Sequence, residues 1–256
     1  MTPFDLTGRT AIVTGSSRGI GRAIAIALAQ AGAKVVVSSR KEAACDTVVA
    51  TIEAAGGTAI TVPCNVSHKD QLAALVQQTR ERLGPIDILV CNAAVNPYYG
   101  PLAEIPDEAY DRTMNSNVRS NLWLCSMVQA DMAAKREGSI IIISSIAAVK
   151  GSATLGAYAI SKAADFQLAR NLAVEWGQHN IRVNCIAPGL VKTDFAKALW
   201  ENPELLQRTL RATPLGRLGA PEDMAGLAVF LASPASSFIT GQAIIADGGV
   251  TITGAV

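Results

Sequence analysis

The chain reads as an α/β protein built on one doubly wound parallel sheet of about seven strands, with helices on both faces. Three observations predict this. Short β-branched runs alternate with longer helical stretches along nearly the whole sequence. Most of the short runs are apolar throughout, as strands buried on both faces should be. A glycine-rich turn directly follows the first run and opens a helix, where such a sheet needs a tight connection.

The runs Thr10–Thr14, Lys34–Ser38, Thr58–Pro63, Ile86–Cys91, Ser139–Ser144, Ile181–Ile186 and Gln242–Ala246 are the predicted strands. Between them, Arg22–Ala31, Glu42–Ala55, Asp70–Leu83, Glu108–Lys135, Thr154–His179 and Pro221–Ala232 carry the residues of helices. Helix stops are expected at Gly32, Gly56-Gly57, Gly84-Pro85 and Gly138. Repeated strand–helix–strand units require right-handed crossovers and hence a parallel sheet. No repeat, low-complexity tract or linker divides the sequence, so residues 1–256 are expected to form a single domain. The longest departure from the alternation, about 189–217, is expected to fold over the sheet's C-terminal edge. It reads either as a substrate lid or as a plain surface insertion.

Composition narrows the function. Half of the 256 residues are hydrophobic and 17% are charged, which favours a large core over disorder. The net charge of +1 lacks the basic excess of a nucleic-acid binder or a polybasic membrane protein. No apolar run approaches the roughly 18 residues of a membrane span, and the first residues lack a secretory apolar stretch. Five scattered cysteines contain no Cys-x-x-Cys, so reduced thiols in a cytoplasmic setting are expected. The two histidines, His68 and His179, are isolated in polar surroundings, and no metal site is expected.

Chemistry enters at two places. Thr14-Gly-Ser-Ser-Arg-Gly-Ile-Gly21 places Gly15, Ser17, Arg18, Gly19, Ile20 and Gly21 between strand and helix. Glycines there let the backbone approach a pyrophosphate at a helix N-terminus, although such a turn alone could be a mere connection. At the end of the second strand an acidic side chain would hold the ribose of NAD(H); the chain instead reads Val37-Ser38-Ser39-Arg40. Arg40, with Ser38 or Ser39 and with Arg18 nearby, suits a 2′-phosphate, so NADP(H) is expected over NAD(H). A solvated arginine is the plainer reading of each taken singly. The second place is Tyr158-Ala-Ile-Ser-Lys162, with Ser145 thirteen positions upstream. Tyrosine and lysine at i and i+4 share a helix face, so an ammonium can favour the phenolate while a serine hydroxyl holds a carbonyl oxygen.

Together these residues resemble the short-chain dehydrogenase/reductase family, and the resemblance covers nearly the whole chain. It rests on Gly15, Gly19 and Gly21, Asn92-Ala93 after the fourth strand, Asn117 in the long helix, and Ser145, Tyr158 and Lys162 in order and spacing. Pro188-Gly189 followed by Val191 and Thr193, Ile181-Arg-Val-Asn184 and Asp247-Gly-Gly249 extend it. Two departures are modest: Asn65-Val66 replaces the usual Asp-Val, and Ala94 stands where a glycine is common.

The resemblance implies a Rossmann-type dinucleotide fold. It implies Tyr158 as proton donor and acceptor, Lys162 on the nicotinamide ribose and Ser145 on the carbonyl oxygen. Asn117 would anchor a proton-relaying water, or merely break the helix. Substrate contacts are expected from the stretch Asn96-Pro-Tyr-Tyr-Gly100, Asn96 and Tyr98 foremost, and from Val149, Leu155, Leu190, Phe195, Leu199 and Trp200, a mainly apolar set that suits a hydrophobic ketone, aldehyde or secondary alcohol. About half of these could equally pack the lid. The chain is particularly similar to NADPH-dependent carbonyl and retinal reductases, and a homotetramer (or homodimer) is implied. Some members of that group end in a peroxisomal tripeptide; this chain ends Thr-Gly-Ala-Val256, which again favours the cytoplasm. The rival readings are a 3-oxoacyl carrier-protein reductase, a sugar or polyol dehydrogenase, and a dinucleotide-binding regulator without chemistry.

Overall fold

Seven short strands, all paired in parallel, form one sheet in the order β3-β2-β1-β4-β5-β6-β7. They are β1 Thr10–Thr14, β2 Lys34–Ser38, β3 Thr58–Thr61, β4 Ile88–Cys91, β5 Gly138–Ile143, β6 Ile181–Pro188 and β7 Ala243–Ala246. The computed structural model describes residues 2–253; Gly254–Val256, on which the C-terminal part of the localisation expectation drew, lie outside them. Helices α1 Gly19–Gln30 and α2 Glu42–Ala54 precede α3 Lys69–Leu83, α4 Asp107–Met114 and α5 Ser120–Lys135. The rest are α6 Gly156–Trp176, α7 Lys197–Trp200, α8 Pro203–Ala212 and α9 Pro221–Ala232. No helix among the described residues is long and apolar enough to cross a membrane.

Strand periodicity divides the core in two. Ala11 and Val13 of β1 and Val35 and Val37 of β2 face one layer, with Ile24 and Leu28 of α1 and Ala228 and Leu231 of α9. Ile12 and Val36 face the other, with Leu72 and Leu75 of α3, Leu124 and Val128 of α5 and Leu172 of α6. Each such side chain contributes about 1.5–3 kcal/mol when fully buried, so a continuous apolar strand is favoured from both sides.

The observed elements depart from the sequence expectation where polar groups intervene. Asp87 sits at the foot of β4 and accepts hydrogen bonds from Thr10 N at 2.9 Å and Lys135 Nζ at 2.6 Å, so the strand starts at Ile88. Gly138 ends no helix; it begins β5, and α5 closes on Arg136 in the left-handed conformation (φ 52°). Helix α1 starts at Gly19, earlier than expected, because the glycine turn itself supplies the first helical turn. The expected helix Glu108–Lys135 is interrupted by a π turn, Asn115–Arg119, between α4 and α5. The excursion 189–217 contains α7 and α8. Asn202 caps α8, accepting from the amides of Glu204 and Leu205 at 3.0 Å, and Pro203 opens it.

The sheet order reverses between β1 and β4. Connections leave the C-terminal strand ends in opposite directions there, which opens a crevice.

Candidate active site

That crevice is a cleft of about 1630 Å³ running from the end of β2 to the excursion after β6. At its first end, Gly15 and Gly19 hold left-handed backbone (φ 64° and 56°). A Cβ on Gly15 would stand 2.9 Å from Asn92 Nδ2, and one on Gly19 would stand 3.2 Å from Thr193 Cγ2. No side chain caps the first turn of α1, and Gly19 and Ile20 of that turn line the cleft at the positive end of the helix dipole. Ser17, Arg18 and Ile20 line the same wall, as do Ser39 and Arg40 at the end of β2 and Asn65 and Val66 beyond β3. Exposed Arg40 faces the cleft and no carboxylate occupies positions 38 to 41. Such a trough, with a helix N-terminus and cations along it, fits the phosphates of a dinucleotide.

Two cofactor candidates stand outside the cleft wall. Ser38 is buried because strand alternation turns it under the glycine turn, where its amide donates to Ser16 Oγ at 2.9 Å. Gly21 is buried against Asn92 and the Gly15 carbonyl, so its missing side chain serves close packing. Asn92 and Ala93 are fixed in turn: both amides donate to Thr14 Oγ1, at 3.0 and 3.1 Å. Ala94 lines the cleft beside them.

At the other end, Ser145, Tyr158 and Lys162 line one stretch of the cleft. Ser145 begins the short turn after β5, and its Oγ accepts from Ala147 N at 3.1 Å, leaving its own proton for a partner. Tyr158 lies in the first turn of α6, its ring 6.1 Å from that of Phe195. One turn on, Lys162 is 2% exposed, with Nζ 5.8 Å from the Tyr158 ring centre. Lys162 Nζ donates to the Ile143 carbonyl at 2.9 Å and to Asp165 Oδ2 at 3.1 Å. Burial alone would lower the lysine, but the Asp165 and Tyr158 charges more than reverse it and hold the ammonium above its ordinary value. Burial pushes the Asp165 carboxyl up; Lys162 and Asn121 draw it back.

Asn117 does not line the cleft. It sits fully buried in the π turn, accepting from Val95 N at 2.8 Å and donating to Val95 O and Ser161 Oγ, both at 3.0 Å. Those bonds replace helical ones and account for the interruption.

Pro188, Gly189, Val191 and Thr193 line the cleft above Tyr158. Of the expected substrate contacts, Asn96, Leu155, Leu190, Phe195 and Leu199 line it as well. Tyr98, Val149 and Trp200 do not. The Tyr98 hydroxyl donates to the Pro101 carbonyl at 3.2 Å, and Trp200 Nε1 donates to the Thr193 carbonyl at 2.9 Å, so both brace the loops that carry the wall. Tyr99, within the expected stretch Asn96–Gly100, does line the cleft, whereas Lys41, Lys150 and Ser152 line it unforeseen, and no spacing marks them. Asp165 was also missed, although an i,i+3 partner of Lys162 shares its helix face. All five cysteines are free and buried; burial pushes the Cys64 thiol, on the cleft wall, up to about 11. Among the described residues, no group of three or more His, Cys, Asp or Glu could hold a metal ion.

Comparison with known proteins agrees with this geometry. The family model described as enoyl-(acyl carrier protein) reductase matches residues 15–251. Dehydrogenase/reductase SDR family member 4 from Bos taurus is 43% identical over 95% of this chain and 88% of its own length. A 7α-hydroxysteroid dehydrogenase solved with NADH and 7-oxo glycochenodeoxycholic acid is 40% identical, with a TM-score of 0.93 over 96% of each chain. A gluconate 5-dehydrogenase from Burkholderia cenocepacia, solved with NADP and tartrate, is 33% identical, with a TM-score of 0.94 over 98% of each chain. The fold and site define a Rossmann-type oxidoreductase acting on alcohol or carbonyl groups. The chain belongs to the short-chain dehydrogenase/reductase family.

Proposed function

We propose that this protein transfers a hydride between NADP(H) and a ketone, aldehyde or secondary alcohol, with Tyr158 as general acid and base. The observation that carries the reading is the placing of Ser145, Tyr158 and Lys162 on one stretch of a cleft whose far end is the glycine turn. Bound along it, the dinucleotide would supply or accept the hydride. In reduction, the Tyr158 hydroxyl gives its proton to the developing alkoxide, and in oxidation the phenolate takes it back. Ser145 donates to the same oxygen and fixes its approach. Lys162 presents its charge to Tyr158 and its remaining N–H to the nicotinamide ribose. Asn117 anchors the π turn that holds this wall, and reaches the proton path only through its neighbours.

Arg40 and Ser39, with no carboxylate beside them, favour the 2′-phosphate of NADP(H). Arg18 is held by Asp194 of the excursion at 3.3 Å, so in this geometry it clasps the lid more than it meets the phosphate. Residues 189–217 act as that lid, and Phe195, Leu190, Leu199 and Leu155 give the substrate a largely apolar wall. A second reading, a hydroxy-acid or polyol substrate, is favoured by Lys150 and Ser152 on that wall and by the gluconate dehydrogenase likeness. The exposed Val174, Phe238 and Ile245 suit an interface of a cytoplasmic homotetramer.

The test is a panel of hydrophobic ketones, secondary alcohols and hydroxy acids with each cofactor, followed by absorbance of the reduced nicotinamide. Turnover of apolar carbonyls with NADPH is the expected result. Preference for NADH, or no turnover, overturns the reading.

A further inference from the structure

Asp165 lies in the interior beside the reacting groups, yet the chemistry above makes no use of it. It is 0% exposed, one turn beyond Lys162 on α6, and its Oδ2 accepts from Lys162 Nζ at 3.1 Å. Its other oxygen accepts from Asn121 Nδ2 of α5 at 3.0 Å. Asn121 Nδ2 also donates to the carbonyl of Asn117 in the π turn. The carboxylate is therefore tied on both sides, across the packed faces of α5 and α6.

We infer that Asp165 is a positioning residue for the proposed reaction: it fixes the Lys162 ammonium beside Tyr158 and keeps it charged. The inference rests on the reading of Lys162 given above. An ammonium has three donors. Ile143 O and Asp165 Oδ2 take two of them from the buried side, which leaves one N–H for the cleft that Lys162 lines. A buried lysine without an anion loses its proton several pH units early, and a neutral amine neither charges the tyrosine's surroundings nor donates as firmly.

No other neighbour supplies that anion among the described residues. Cys185 of β6 donates its thiol to the Asp165 carbonyl at 3.3 Å. Burial pushes it far up, so it stays neutral. Cys91 of β4 is likewise held well above a normal thiol by its contact with Cys125 of α5 and by burial. Asn121 is neutral, and Arg170 on α6 is a cation. Tyr158 is the group being served, leaving Asp165 as the standing counter-charge.

The test uses the full chain labelled with 13C at the lysine ε-carbon, the Lys162 resonance being assigned by its loss in Lys162→Met. In the wild type that resonance should titrate above an ordinary lysine, whereas in Asp165→Asn it should titrate about two or more units lower than in the wild type. In the same variant kcat should fall about tenfold or more, with Asp165→Glu recovering part of it. Should Asp165→Asn fail to fold, Asp165→Ala also removes the anion and should lower the lysine titration as far. An unchanged lysine titration in whichever variant folds overturns the inference. If the wild type turns over no substrate, the functional reading falls while the titration still decides whether Asp165 governs Lys162.

Discussion

The two ends of the cleft are held by different kinds of bond. At the glycine turn, the wall is main chain fastened to buried partners. Thr14 Oγ1 accepts two amides from the β4 exit, Asn92 Nδ2 donates to the carbonyls of Thr14 and Gly15, and Ser16 Oγ ties β1 to β2. At the excursion, the wall is side chains on short helices and loops. Phe195 is 55% exposed and Tyr99 63%, and no residue of α8 is buried. A dinucleotide's phosphates are alike whatever the substrate, so backbone donors can serve them. A substrate is recognised by its shape, and exposed side chains that can change without loss of the core suit that task. Tyr158 and Lys162 stand between these two constructions, on a helix that packs against the sheet.

The strongest way to break the comparison is to remove chemistry without touching either wall. Tyr158→Phe keeps the ring and its contact with Phe195 but deletes the hydroxyl. We expect kcat to fall about a thousandfold or more, with cofactor binding retained, as measured by steady-state kinetics and dinucleotide titration. Near-normal kcat would remove Tyr158 from the proton path. Next in size is Gly21→Ala, aimed at the fastened end. The new methyl would meet the Gly15 carbonyl oxygen and the Asn92 amide, neither of which can yield cheaply. Overpacking there should cost about 1–3 kcal/mol. For a chain of this size that lowers Tm by roughly 2–12 °C, with dinucleotide binding weakened alongside. An unchanged Tm would mean that the turn is looser than its hydrogen bonds imply.

The fold was legible because its signals are local and repeated. Val35–Val37 and Ile140–Ile143 can be buried on both faces only in a covered parallel sheet, and Gly32 and Gly84 do end helices with positive φ. The family resemblance brought Ser145, Tyr158 and Lys162 to one place, and the structure places all three on the cleft. What escaped were consequences of packing. The π turn exists because Asn117 finds Val95 and Ser161, residues 22 and 44 positions away. Likewise the stretch Asn96–Gly100 was expected at the cleft, but not that Tyr98 would turn its hydroxyl to Pro101 O and leave Tyr99 to line the wall. No periodicity encodes such pairings. Asp165 is the exception: its spacing from Lys162 was visible, but its burial was not.

Arg40→Ala probes the fastened end from its solvent side, where one side chain is expected to choose between cofactors. A charge-assisted bond to a phosphate is worth about 1.5–3 kcal/mol, so KM for NADPH should rise about tenfold or more while KM for NADH stays within about twofold. Equal effects on both would show that Arg40 is merely solvated.

The smallest effect is expected at the exposed end. Phe195→Ala removes an aromatic face that is already more than half in water, so Tm should hardly move. If the apolar wall recognises substrate, KM for the bulkiest ketone should rise about three- to tenfold, in keeping with 1 kcal/mol or so of contact, and KM for a small one should stay put. The ring also stands 6.1 Å from that of Tyr158, so a parallel loss of kcat would mean that Phe195 orients the tyrosine as well as the substrate. A fall in Tm of the size expected for Gly21→Ala would instead make Phe195 part of the core, and the contrast between the two ends would fail.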